Sequence, residues 1–99
     1  MIEKQEILIY LISNKDLIYN KFSVIKIGLF GSYARNEQTE NSDIDILIEM
    51  PSGTENIFEK RLALKEMISN HFSKPVDVCH KRAIKSMFRE QILKDTIYV

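Results

Sequence analysis

A chain of 99 residues, 44% of them hydrophobic, suits one compact core, and a single domain over residues 1–99 is expected. Fourteen basic and fourteen acidic side chains cancel, which removes the overall positive field that non-specific DNA or RNA binding uses, so no direct nucleic-acid partner is expected. No stretch approaches the roughly 18 consecutive apolar residues of a membrane helix, Met1 to Glu6 lacks the features of a secretory signal, and the lone Cys79 makes neither an internal disulfide nor a zinc cluster; the expectation is a cytoplasmic protein with no membrane partner.

The elements follow in chain order. Ile7, Leu8, Leu11, Ile12, Ile18 and Tyr19 recur at helical spacing and predict one amphipathic helix over residues 3–19, ending near Asn20 and Lys21. Val24 to Phe30 is rich in β-branched and aromatic residues and runs into Gly31-Ser32, a strand entering a tight turn, with Tyr33 to Asn36 as a short helical turn. Ile44, Ile46 and Ile48 alternate with Asp43, Asp45, Leu47 and Glu49, the period of two of a second strand closed by Pro51-Ser52-Gly53. Ser52 to Glu55 has the form of a capping box, and Ile57, Phe58, Leu62, Leu64, Met67, Ile68 and Phe72 predict a second long helix behind it. Lys74-Pro75 returns the chain to extended geometry, Val76 to Cys79 reads as a third strand, with Cys79 a buried strand cysteine, and Ile84, Met87, Phe88, Ile92 and Leu93 mark a last helix. Thr96 to Val99 is a candidate terminal edge strand. The fold class expected is therefore α/β (α+β): a small mixed sheet of three to four strands flanked by helices.

Local charge is uneven. Asn36 to Glu59 holds seven acidic residues and no Lys or Arg, and the pattern inside that block is informative. Side chains at i and i+2 of a strand share a face, so Asp43 and Asp45 present two carboxylates side by side while Ile44 and Ile46 point into the core. Adjacent anions repel, and a divalent cation is the natural neutraliser; Mg²⁺ takes a few carboxylate oxygens together with water and substrate phosphates. Upstream, across a ten-residue spacer, Gly31-Ser32 is expected to form a bend where backbone N–H groups and the Ser32 hydroxyl meet an anion without an intervening Cβ. An anion cradle beside a cation holder suits a nucleoside triphosphate.

At these residues the chain resembles the DNA polymerase beta-like nucleotidyltransferase superfamily: Phe30-Gly31-Ser32 and Asp43-Ile44-Asp45-Ile46 match its signature without a gap. Gly31-Ser32-Tyr33-Ala34-Arg35, the ten-residue spacer and Ser42-Asp43-Ile44-Asp45 are similar to the minimal nucleotidyltransferase (MNT) group, which implies the minimal nucleotidyltransferase fold. The resemblance implies a third carboxylate on a neighbouring strand, supplied here by Asp77, with Asp95, Glu49 and Glu90 as poorer substitutes. It further implies two Mg²⁺ ions on the catalytic residues Asp43, Asp45 and Asp77, ATP as nucleotide donor with its phosphates on Gly31 and Ser32, and in-line attack of an acceptor hydroxyl on the α-phosphate. Arg35 is a candidate phosphate partner, with an ion pair to Glu37 or Glu40 as the competing role.

MNT proteins of this kind act as antitoxins beside a HEPN-domain ribonuclease toxin. The resemblance therefore implies transfer of AMP to a toxin tyrosine within a hetero-oligomer. Enzymes that the chain resembles often carry a further domain that grips the acceptor; none is expected within these 99 residues, which favours an acceptor supplied by a partner protein. Two other readings stay open: transfer to a small molecule such as an aminoglycoside, and a non-catalytic antitoxin that acts by occlusion. His71 and His80 are expected in polar surface roles, Tyr10, Tyr19, Tyr33 and Tyr98 as core or surface filling, with Tyr33 alone beside the site where it could touch the nucleotide, and Lys81, Arg82, Lys85 and Arg89 as a solvated basic face able to dock an acidic partner.

Overall fold

The first amphipathic segment folds as two helices. In the computed structural model, which describes residues 1–99, α1 spans Lys4–Ser13 and α2 spans Lys15–Phe22. The break falls at Asn14, whose side-chain amide donates to the Tyr10 carbonyl at 2.8 Å and so competes for the hydrogen bonds of the helix. α2 continues two residues past Asn20 and stops at Ser23 in a left-handed conformation.

Strand β1, Lys26–Phe30, runs directly into the one-turn helix α3, Gly31–Ala34, and β2 covers Ile44–Glu49. The capping box expected at Ser52 to Glu55 does not form. Thr54 Oγ1 instead donates to the Pro51 carbonyl at 2.6 Å, closing a turn, and helix α4 (Ile57–Phe72) begins after Asn56, which takes a left-handed conformation. β3 is Val76–His80, followed by a 3₁₀ turn at Lys81–Ala83, helix α5 at Ser86–Asp95 and strand β4 at Ile97–Tyr98. The last helix thus starts later than expected: Ile84 is buried ahead of it, while Met87 and Phe88 project into solvent.

The four strands lie in the order β3-β2-β1-β4. β1 pairs antiparallel with β2 and with β4, and β2 pairs parallel with β3, giving the mixed sheet flanked by helices that the pattern predicts. One face of that sheet carries Ile27, Leu29, Ile44, Ile46, Ile48, Val76 and Val78, which pack with Ile7, Leu11, Ile18, Phe22, Leu64 and Ile68 of α1, α2 and α4 in one continuous core. The opposite face carries Phe30, Asp45, Leu47, Glu49, Asp77 and Cys79, because strand residues alternate in direction. Burial of the isoleucine face therefore forces the carboxylates outward.

Gly28 is required where β4 crosses β1. A Cβ there would stand 2.7 Å from Thr96 Cγ2 and 2.9 Å from the Ile97 carbonyl oxygen, well inside van der Waals contact. Tyr33 takes the core-filling role expected of it and not the alternative contact with a nucleotide: it is fully buried in the core, with its hydroxyl unpaired. Its one-turn helix folds back over the sheet and carries the ring inward.

Two substitutions of opposite sign test this packing by urea unfolding. Gly28→Val is expected to lose about 1–3 kcal/mol through overpacking. Tyr33→Phe is expected to hold or gain stability, by up to about 1 kcal/mol, because it removes a buried hydroxyl without a partner.

Candidate active site

The parallel register of β2 and β3 builds the site. Ile44↔Val76 and Ile46↔Val78 align on the core face, so Asp45 stands directly opposite Asp77 on the outer face. The register is anchored at its start by the Ile44 N–H, which donates to the Pro75 carbonyl at 3.1 Å, and by Lys74 Nζ, which donates to the Glu40 carbonyl at 2.8 Å. Asp43 sits just before the first residue of β2 and is exposed, at the end of a loop whose turn is closed by the Thr39 N–H donating to Ser42 Oγ at 2.9 Å. Across the sheet, Phe30 pairs with Asp45, which brings the Gly31-Ser32 bend to the same end.

Repulsion and desolvation fall most heavily on the middle carboxylate. Burial, then the neighbouring anions Asp77 and Asp43, raise the Asp45 pKa from 3.8 to about 6, against a smaller opposing pull from Arg35. The three carboxylates are thus electrostatic neighbours. As the side chains stand, no three Asp, Glu, His or Cys groups close tightly enough to grip an ion, so the row is open. The donor set nonetheless fits a divalent cation: oxygen ligands on one face, two of them in register, with a half-buried anion whose excess repulsion a cation relieves.

Gly31 completes the fit. Its φ of +74° lies in the left-handed region, and a Cβ there would overlap Asp45 Oδ2 and approach Asp45 Cγ to 3.0 Å. Only glycine lets the bend and the carboxylate share this space. Ser32 follows, half-buried, in the first turn of α3. Arg35 takes the competing role, donating from Nε to Glu37 at 3.0 Å and from Nη1 to Asp95 at 3.2 Å. Asp95 is therefore occupied at the mouth of the site, and Glu49, although on the Asp45 face, lies between Lys81 at 3.8 Å and Lys26 at 4.0 Å.

One histidine departs from its expected surface role, whereas His71 is exposed and keeps it. His80 is buried at the end of β3, its Nδ1 accepting the Arg82 N–H at 3.1 Å, and burial and Arg82 lower its pKa. His71 stacks on Tyr10 with ring centroids 4.1 Å apart. Cys79 is half-buried on the carboxylate face, and burial and Asp77 push its thiol up. Sequence reasoning missed a cleft of about 180 Å³ beside Asp77, lined by Phe58, Arg61, Leu62, Lys65 and Val78. Its signal was present in the apolar positions of α4, which are too many for one face: Phe58 and Leu62 are offset from Leu64 and Ile68 and remain exposed.

Residues 14–99 match the model of the nucleotidyltransferase domain. Protein adenylyltransferase MntA of Thermococcus cleftensis is 34% identical over 102 residues, covering 100% of this chain and 98% of that protein. A Methanocaldococcus jannaschii chain provisionally named a protein adenylyltransferase is 39% identical over 87 residues, 87% of each chain. Among solved structures, one provisionally named a minimal nucleotidyltransferase superposes with a TM-score of 0.79 at 24% identity, over 97% of this chain and 95% of that one. A toxin-antitoxin complex with AMP-PNP superposes at 0.68 and 24% identity, over 87% and 69%. A Shewanella oneidensis complex of MNT antitoxin with tri-AMPylated HEPN toxin superposes at 0.58 and 22%, over 96% and 66%. These likenesses match the fold class read from the sequence.

The raised Asp45 pKa sets a pH dependence. Below about 3.8 the group is protonated whether the chain is folded or not; as pH rises to about 6 the unfolded chain ionises first, so the metal-free fold loses stability across this window. Asp45→Asn is expected to be more stable than the parent at pH 8, by on the order of 1 kcal/mol after discounting for its exposure to solvent. Urea midpoints measured without divalent cations should show that gap closing near pH 3.5; a gap independent of pH would contradict this account.

Proposed function

The chain belongs to the nucleotidyltransferase domain family, and from that premise we propose that it moves AMP from ATP onto a tyrosine hydroxyl of a HEPN-type ribonuclease toxin, acting as the antitoxin of the pair. The observation that carries the reading is the alignment of Asp45 with Asp77 beside the Gly31-Ser32 bend. The resemblance to named protein adenylyltransferases supports the reaction class. The shared fold of antitoxins solved with HEPN toxin and with AMP-PNP supports the partner and the donor, in a hetero-oligomer.

In this mechanism the outer phosphates of ATP lie on Gly31 and Ser32, where the absence of a Cβ lets the backbone approach them. Arg35 stands at the same bend and exchanges Glu37 for phosphate, a better match for its planar fork. Two Mg²⁺ ions held by Asp43, Asp45 and Asp77 would neutralise the charge that gathers on the attacking and leaving oxygens. The tyrosine oxygen attacks the α-phosphorus, the new P–O bond forms in line, and the bond to pyrophosphate breaks. Asp77, the exposed carboxylate at the sheet edge, is nearest the acceptor and takes the hydroxyl proton.

Incubation with ATP, Mg²⁺ and a HEPN partner, followed by intact-mass measurement of the partner, is expected to show whole AMP additions. Asp45→Asn should slow transfer by about 10²–10³-fold, the scale of losing one preorganised charge. An unmodified partner, or full neutralisation of the toxin by the Asp45→Asn protein, would favour occlusion over catalysis.

A further inference from the structure

The cleft beside Asp77 lies at the opposite end of the carboxylate row from the Gly31-Ser32 bend, because the sheet runs β3-β2-β1 and places Asp77, Asp45 and Phe30 in that order. Its wall is α4. Phe58 and Leu62, four residues apart, are 63% and 43% exposed, although the same helix buries Leu64 and Ile68 on its core side. Arg61 and Lys65, also four apart, run along the same face. Arg61 donates to the Val78 carbonyl at 3.3 Å and lies 5.7 Å from the Phe58 ring centroid, which fixes its guanidinium over the cleft with donors to spare. Neither cation belongs to any of the four ion pairs of the chain.

An open aromatic face next to two unpaired cations recognises a ligand that is flat and apolar at one end and anionic at the other, which is the chemistry of a nucleoside monophosphate. Asp77 forms the inner wall, so whatever the cleft holds is presented to the reacting centre from the acceptor side. We infer that this cleft is an acceptor-side nucleotide subsite, which holds the AMP group left by one transfer and offers its ribose hydroxyl for the next. The inference rests on the proposed function. Phe58 and Leu62 cover one face of the base, while Arg61 and Lys65 hold the phosphodiester. The ribose oxygen then attacks the α-phosphorus of a second ATP; one P–O bond forms, the bond to pyrophosphate breaks, and the hydroxyl proton passes to Asp77 and on to water. An acidic peptide also answers to the two cations, but it gives the exposed Phe58 ring no flat partner.

The test counts AMP groups on a HEPN partner by intact mass over time, with ATP and Mg²⁺, for the parent protein and for the double variant Arg61→Glu, Lys65→Glu. The parent is expected to build a ladder of two or more additions. In the variant the second addition should fall at least about tenfold further than the first, the scale of lost charge-assisted contacts, with Arg61→Lys restoring part of it. Free AMP, followed by amide chemical shifts, should perturb α4 in the parent and not in the variant, whose fold is checked by its thermal transition. Equal losses in both additions would assign the cleft to the acceptor polypeptide and overturn the inference, as would an unchanged ladder. A parent that stops at one addition overturns this inference alone; a parent that adds none overturns the underlying reading.

Discussion

Two like charges held in register are the constraint on which the rest of this molecule depends. Asp45 and Asp77 face each other across a parallel pair of strands, and nothing in the pair itself favours that arrangement. The isoleucines and valines on the reverse face impose it, since shifting either strand by one residue would turn its whole apolar set to solvent. The Ile44 bond to Pro75 and the Lys74 bond to Glu40 fasten the strand starts together. Packing on one side of the sheet thus holds a strained electrostatic state on the other, and a bound cation is what would relieve it.

The sheet divides labour by face. Its inner side, covered by α1, α2 and α4, supplies the continuous core. Its outer side carries the charged residues beside Phe30 and the buried Leu47, and these charges are sorted along the strands: Glu49 is neutralised by Lys26 and Lys81 at one end, whereas Asp45 and Asp77 at the other have no facing cation within ion-pair distance. Arg35, the nearest basic group at the bend, is shared between Glu37 and Asp95. The uncompensated end is therefore the end that coincides with the glycine bend, and the proposed site rests on that coincidence.

Much of this was legible in the chain. The alternation over Ile44 to Glu49 identified β2 and its two faces, and the strand running into Gly31-Ser32 located the bend, because both signals are local and periodic. The partnership of Asp77 with Asp45 was implied by family resemblance rather than read from residues, since parallel register is set by contacts far apart in sequence. The break at Asn14 escaped because a side chain that bonds its own backbone does not disturb the apolar spacing on either side. Ser52 to Glu55 had the letters of a capping box but is used for a turn. Tyr33 is adjacent in sequence to Ser32 and could have touched a ligand, yet one turn of helix is enough to rotate it into the core, the filling role that its residue type suggests. The cleft on α4 was hidden because apolar spacing marks a helix without showing which of its apolar residues the core leaves exposed.

The central claim is that Asp43, Asp45 and Asp77 together form one divalent-cation site beside the bend. Anomalous scattering from Mn²⁺ in crystals grown with a non-hydrolysable ATP analogue addresses it most directly. The account requires metal peaks within coordination distance of Asp45 and shared with Asp43 and Asp77, with the phosphates of the analogue reaching Gly31 and Ser32. Peaks elsewhere on the surface, or an analogue bound away from the bend with these carboxylates unliganded, would contradict it.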